Sequence, residues 1–221
     1  MIHAHSGSDF PFFSNLTPAQ RDWLAQNTRQ SSYEKGELIH SHDGNCLGMF
    51  RVLTGQVCVF MLSNEGREVA LFRLKSGDCC VLSAACVIRQ ITFEVFIQAE
   101  NACRIEIIPA HLLSALMREN PYVESAVYRL AVKHFSDVMW TMQQILFNGF
   151  DQRLADFLLR ESETTGSPLL ALTHEQIARY TGSVREVVSR MLKRFADEGA
   201  ISLTRGAVRI LDPEKLRQKL S

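Results

Sequence analysis

The sequence predicts an α+β chain in three parts: a compact antiparallel β-roll, one long helix, and a C-terminal winged helix-turn-helix. Three observations carry this. Short β-like runs between Glu37 and Ile108 are punctuated by Gly44, Gly55, Gly66 and Gly77, a turn residue every 11 positions. Residues 122–147 contain neither Gly nor Pro and keep apolar spacings of three and four. Residues 172–198, LTHEQIARYTGSVREVVSRMLKRFADE, read as two short helices about a corner glycine. The expected boundaries are 1–118 for the roll, 119–149 for the long helix and a hinge at Asn148-Gly149, and 150–221 for the winged helix-turn-helix.

At 221 residues, 46 % of them apolar, the chain can bury two cores. No apolar run reaches the roughly 18 residues that span a bilayer. The start, MIHAHSGSDF, lacks a basic stretch followed by an apolar one. The expectation is a cytoplasmic protein with no membrane partner. Net charge is zero, but unevenly spread: 12 Lys and Arg against 14 Asp and Glu in residues 1–150, and 12 against 10 in residues 151–221. That excess is too small to announce a nucleic-acid partner by itself.

All six cysteines lie in the first half: Cys46, Cys58, Cys79, Cys80, Cys86 and Cys103. Disulfides are not expected in a cytoplasmic protein. Cys58 and Cys103 fall in strand-like apolar runs and read as small core residues. Cys79-Cys80 with Cys86 matches no zinc or iron–sulfur spacing.

In chain order, Asp9 to Tyr33 reads as a helical lead-in, with Thr17-Pro18 as a helix start and Trp23-Leu24 packing it. Strands are expected at Met49–Leu53, Val57–Leu62, Val69–Leu74, Phe93–Ala99 and Cys103–Ile108, with a hairpin turn at Asn64-Glu65-Gly66. Pro109 opens a short helix to Met117, and Asn120-Pro121 breaks it. On the long helix, Val127, Leu130, His134, Val138, Met142 and Ile145 form a narrow seam, widened by Ala131, Phe135, Met139 and Leu146. Two apolar strips on one helix predict packing on its own sheet and on a second copy, with the seam as the dimer contact. Gln152 to Ser162 is a further amphipathic helix.

The helix-turn-helix carries the most specific signal. Thr173 with Gln176, and Ser183 with Glu186, have the form of capping boxes. Gly182 occupies the corner. Ile177, Val188, Met191, Leu192 and Phe195 face inward. Arg185, Glu186, Ser189, Arg190 and Lys193 form an outward stripe with the chemistry of major-groove readout: Arg to guanine, Glu to cytosine N4, Ser to either. Ile201–Leu203 and Val208–Ile210 flank Thr204-Arg205-Gly206, a wing whose Arg205 is placed to meet a phosphate. A solvated face on an ordinary helical hairpin is the plain alternative. Caps, corner glycine, small Ala178 and basic stripe in one register argue against it. No nucleophile–base set, paired carboxylates or phosphate loop is legible, so an enzyme is not expected.

This order resembles the CRP/FNR family, the cyclic-AMP receptor and fumarate–nitrate reduction regulators, over nearly the whole chain. The most specific stretches are RLADFLL at 153–159 and SVREVVSR at 183–190. The resemblance implies a cyclic-nucleotide-binding-like roll that senses a signal, a dimerising helix, and a winged helix-turn-helix on promoter DNA. It implies a homodimer reading palindromic sites with TGA-containing half-sites, through Arg185, Glu186, Ser189 and Arg190. Thr173, Ser183, Lys193 and Arg205 complete the expected DNA contacts, and RNA polymerase is an expected partner.

The sensing half departs from the pattern. The cyclic-AMP pocket has a Gly-Glu pair followed by Arg-Ser or Arg-Thr; here SGDCCVLSAACVIRQITFEVF offers Gly77-Asp78 and then only Arg89 beside Gln90. No cysteine precedes Cys46 to hold an iron–sulfur cluster, and no His or Cys has a haem context. The expectation is an effector other than cyclic AMP, its cofactor unknown, bound near Asp78, Cys80, Leu82, Ser83, Cys86 and Arg89. A thiol or metal redox sensor of the same architecture is the alternative, as is a cyclic-nucleotide-binding module with a different output.

Overall fold

Thr17 begins the first helix by holding two backbone groups at once. Its hydroxyl accepts from the Gln20 amide and its own amide donates to Gln20 Oε1, both at 3.2 Å. Pro18 follows at the position that needs no N–H, so α1 runs Pro18–Asn27 after a single 3-10 turn at Phe13–Asn15. This computed structural model describes residues 10–41, 46–88 and 93–220. They fall into two compact units, Met1–Met61 with Leu71–Val138, and Leu62–Ala70 with Met139–Ser221.

The roll is two four-stranded antiparallel sheets. One has the order β1-β8-β3-β6 and the other β2-β7-β4-β5. The strands are β1 Arg29–Tyr33, β2 Leu38–His40, β3 Met49–Thr54, β4 Gln56–Leu62, β5 Glu68–Lys75, β6 Cys79–Cys80, β7 Phe96–Ala99 and β8 Cys103–Ile108. The sequence expectation missed β1, because RQSSY carries no apolar alternation. It is a strand because it pairs along its length with β8, from Arg29 opposite Ile107 to Tyr33 opposite Cys103. Turn glycines stand where expected. Gly55 has φ of 82°, and a Cβ there would come within 2.5 Å of the Ala102 carbonyl oxygen, so only Gly fits. Gly44 lies outside the described residues.

Two apolar clusters fill this half. Phe50, Val52, Val57, Val59, Ile97, Ile105 and Ile107 form one. Phe12, Leu24, Met49, Ile108, Leu113 and Leu116 form the other, with α2 (Ala110–Glu119) and the start of α3. β6 feeds both: Cys79 enters the second cluster and Cys80 the first, as strand alternation requires.

Helix α3 runs Pro121–Phe147. Asn120 seats it, accepting from the Tyr122 amide at 3.0 Å and donating to Asn15 O and Gln20 Oε1 at 3.1 Å. Here the expected dimer seam needs correction. Val127 and His134 are fully buried, Leu130 and Val138 pack against the roll's clusters, and His134 stacks on Phe72 with centroids 4.8 Å apart. These four therefore face their own chain. The exposed strip is Tyr128, Val132, Phe135, Met139, Met142 and Leu146, spaced alternately four and three. Both strips obey helical spacing; the roll takes the one carrying β-branched and small residues that fit closely against strands.

The second unit contains α4 Phe150–Thr165, β9 Leu169–Leu170, α5 His174–Thr181, α6 Arg185–Asp197, β10 Ile201–Thr204, β11 Ala207–Ile210 and α7 Pro213–Arg217. Its sheet has the order β10-β11-β9, and its core gathers Leu154, Leu158, Ile177, Val188, Leu192, Phe195, Ile201 and Val208. Neither β9 nor α7 was expected. The α7 start was nonetheless written in the sequence: Asp212 caps Glu214 N and Lys215 N, and Pro213 follows.

Candidate nucleic-acid interface

Helix α5 starts on Thr173, whose hydroxyl accepts from Gln176 N at 3.2 Å while Gln176 Oε1 accepts from Thr173 N at 2.9 Å. It ends at Gly182, which is left-handed with φ 60° and ψ 44°. The second expected capping box is absent. The Ser183 amide closes the end of α5 on the Ala178 carbonyl at 2.9 Å, so Ser183 belongs to the corner. Helix α6 starts one residue later, with Val184 as N-cap and no side-chain cap bond.

Within α6, Val188, Leu192 and Phe195 are wholly buried, which fixes the rotation of the helix. Arg185, Glu186, Ser189, Arg190 and Lys193 are then all exposed, within an arc of about 140° at 100° per residue. Arg185 lies 4.0 Å from Glu175 Oε2, a solvent-exposed pair of little strength. Arg190 and Lys193 have no ion-pair partner among the described residues. Arg194, off the stripe, is engaged by Glu198 at 2.9 Å. The charge on this exposed face is therefore available to an external ligand. Arg205 sits exposed on the β10–β11 turn, beside Gly206 at φ 76°. Its strands pair from Ile201 opposite Ile210 to Thr204 opposite Ala207.

One organising residue escaped the sequence reading. Arg153, near the start of α4, donates from Nη1 to Asn148 O at 2.8 Å and Ile145 O at 3.4 Å, and from Nε to Thr181 O at 3.2 Å. One guanidinium thus joins the end of α3, the Asn148-Gly149 turn and the end of α5. Only its place in RLADFLL hinted at a role.

Residues 152–219 match a family described as the Crp-like helix-turn-helix domain, and residues 30–120 one described as the cyclic nucleotide-binding domain. The crystal structure of a Eubacterium rectale protein described as a transcriptional regulator of the CRP/FNR family is similar, at 40 % identity and a TM-score of 0.92, over 96 % of this chain and 99 % of that one. The chain belongs to the CRP/FNR family. It is also 27 % identical over 210 residues to the transcriptional activator protein anr of Pseudomonas aeruginosa, covering 91 % of this chain and 85 % of that one. The cyclic AMP receptor protein of Thermus thermophilus is 23 % identical over 218 residues, 94 % and 95 % of the two chains. The protein is thus a CRP/FNR-type DNA-binding transcription regulator whose first half is a cyclic-nucleotide-binding domain.

In this CRP/FNR member the expected effector residues are largely occupied by folding. Asp78 closes a turn by accepting from the Lys75 amide at 2.9 Å. Cys80 and Leu82 are core residues, and the buried Ser83 hydroxyl donates to Gly48 O at 2.6 Å. Arg89 lies outside the described residues. Burial pushes the Cys80 thiol up to about 11 and that of Cys79 up to about 12, the opposite of what a reactive thiolate needs. Cys86 differs. It is exposed and disulfide-bonded to Cys46, with Cα atoms 6.1 Å apart, so the expectation of no disulfide is overturned. Among the described residues no group of three His, Cys, Asp or Glu could hold a metal ion, and no helix is long and apolar enough to cross a membrane.

Proposed function

We propose that this regulator works in the cytoplasm as a homodimer, reading palindromic promoter sites with TGA-containing half-sites and acting through RNA polymerase rather than by catalysis. The observation that carries the reading is the face of α6. Two arginines, a lysine, a glutamate and a serine stand together on its exposed side while the opposite side is wholly buried. Buried Val188, Leu192 and Phe195 leave no other rotation for that helix, so these five side chains must meet whatever enters. Arg205 on the wing adds a phosphate contact outside the base-reading set.

Dimerisation is supported by the strip Tyr128, Val132, Phe135, Met139, Met142 and Leu146. Its four-three alternation is that of a two-stranded coiled coil, and six exposed large side chains in one line need cover. A two-fold pair would set the recognition helices about 34 Å apart, one turn of DNA.

The effector is other than cyclic AMP. Its phosphate is an anion that needs a cation and several donors when buried. The sequence lacks the Arg-Ser or Arg-Thr pair, and the Ser83 hydroxyl is already committed to Gly48. A gel shift of the full chain on DNA upstream of its own gene tests the reading, with and without cyclic AMP. A retarded complex indifferent to the nucleotide is expected. No complex, or one that appears only with cyclic AMP, contradicts it.

A further inference from the structure

Six cysteines divide sharply by environment. Cys58, Cys79, Cys80 and Cys103 are buried. Cys86 is exposed, Cys46 is half-buried, and the two are joined. We propose that Cys46 and Cys86 form a reversible thiol–disulfide site whose oxidation state sets the DNA affinity of this regulator. The proposal deepens the reading above by naming the class of signal, an oxidant.

The pair is held together by more than its own bond. Gly48 N donates to Ser83 O at 3.3 Å and Ser83 Oγ donates to Gly48 O at 2.6 Å. These two hydrogen bonds tie the segment before β3 to the 3-10 turn Leu82–Ala84. Both thiols therefore stay near each other when the disulfide opens, and reclosure needs no search through a 40-residue loop. Exposed disulfides of this kind are the ones that reductants reach.

The two sulfurs are not equivalent. Cys46 Sγ lies 3.6 Å from Ser83 O. In the dithiol state its S–H can donate to that carbonyl. Cys86, in water, is the attacking thiolate. With a hydroperoxide as oxidant, its sulfur attacks the O–O bond and becomes a sulfenic acid, releasing water or an alcohol. The Cys46 thiol then attacks that sulfur, the S–S bond forms, and the hydroxyl leaves as water with the Cys46 proton. Two thiols lose two electrons, and the peroxide is reduced by two. A dithiol protein reductant reverses the change by exchange through a mixed disulfide.

The site has a short route to α3. Ala84 and Ile88, on either side of Cys86, belong to the same buried cluster as Val123, Ala126 and Val127, with Val87 packed on it. Tethering Cys86 fixes the segment that covers the first turns of the long helix.

The test uses the full chain and three readouts. Native alkylation and mass spectrometry should show two labels, on Cys46 and Cys86, after a dithiol reductant and none after hydrogen peroxide, over repeated cycles. Hydrogen exchange at residues 84–88 and 123–127 should be severalfold slower in the disulfide form. Affinity for the upstream duplex should differ about tenfold between the two forms, and Cys46→Ser and Cys86→Ser should each match reduced wild type and ignore peroxide. A disulfide that the reductant cannot open, or unchanged exchange, overturns the proposal. So does equal DNA affinity in both forms, or a peroxide response that survives in both variants. If neither form binds DNA, the functional reading above fails instead, and labelling and exchange still judge this site.

Discussion

Arg67 donates from Nη2 to the carbonyl of Gly182 at 2.6 Å, joining the β4–β5 turn to the corner between α5 and α6. Next to it Glu68 and Arg179 form an ion pair at 2.8 Å, with the Arg179 side chain largely buried. Both contacts lie within one compact unit, in which Leu62–Ala70 packs with the helix-turn-helix. The turn of a sheet hairpin thus holds the backbone of the corner from which α6 starts. A charged donor on a backbone carbonyl contributes about 1.5–3 kcal/mol, less where water competes. Arg67→Ala should therefore lower urea-measured stability by about 1–2 kcal/mol and speed amide exchange at residues 182–185. Unchanged exchange at those amides would show that the contact holds nothing.

Base readout and phosphate contact separate by mutation. Arg190→Ala should cost about 1–3 kcal/mol at the best site and blur preference at one base pair. Arg205→Ala should weaken every sequence alike and reduce the salt slope by about one unit. Quantitative binding to a set of single-base variants distinguishes the two. A uniform loss for Arg190→Ala would place its side chain on phosphate.

The two faces of α3 predict opposite failures. Phe135→Asp or Met142→Asp puts a charge in the exposed strip and should give folded monomers by sedimentation, with weak specific DNA binding. Val127→Asp buries an unpaired charge against the chain's own core and should unfold the first half instead. Undisturbed dimers in both strip variants would put the interface elsewhere.

His134 should make stability depend on pH. It is fully buried, with its ring stacked on Phe72. Burial chiefly, and then the charge of Lys133, push its pKa from 6.5 to about 4. Above pH 6.5 the ring is neutral in both states and the contribution is complete. Between pH 6.5 and 4 the unfolded chain takes a proton that the fold refuses, so stability falls with pH, by up to about 3 kcal/mol once below 4. His134→Leu should flatten that slope in denaturant titrations across the window. A slope unchanged in the variant would assign it to other groups.

The legible parts of this molecule are those fixed by neighbours in sequence. Thr173 with Gln176, Gly182, and the buried Val188, Leu192 and Phe195 all act within a few residues of one another, and the helix-turn-helix was readable from them. The α6 cap was misread because Ser183-Glu186 has the right spacing, while the Ser183 amide is claimed by Ala178 across the corner. On α3, spacing revealed two apolar strips but not which one the roll would cover. RQSSY became a strand through β8, 70 or more residues away, and Cys46 met Cys86 across 40. The tie made by Arg153 depends on three carbonyls contributed by α3, the Asn148-Gly149 turn and α5, a convergence no local pattern encodes.

This regulator is expected to recognise a two-fold site by its sequence. The most direct measurement is equilibrium binding of the full chain, at one salt concentration, to a duplex with two inverted TGA-containing half-sites about one helical turn apart, and to the same duplex with both half-sites scrambled. Specific complexes bind roughly 10³-fold or more tighter than non-specific ones at physiological salt. That ratio is the predicted result, collapsing when one half-site alone is scrambled. Equal affinity for the intact and scrambled duplexes would contradict the account.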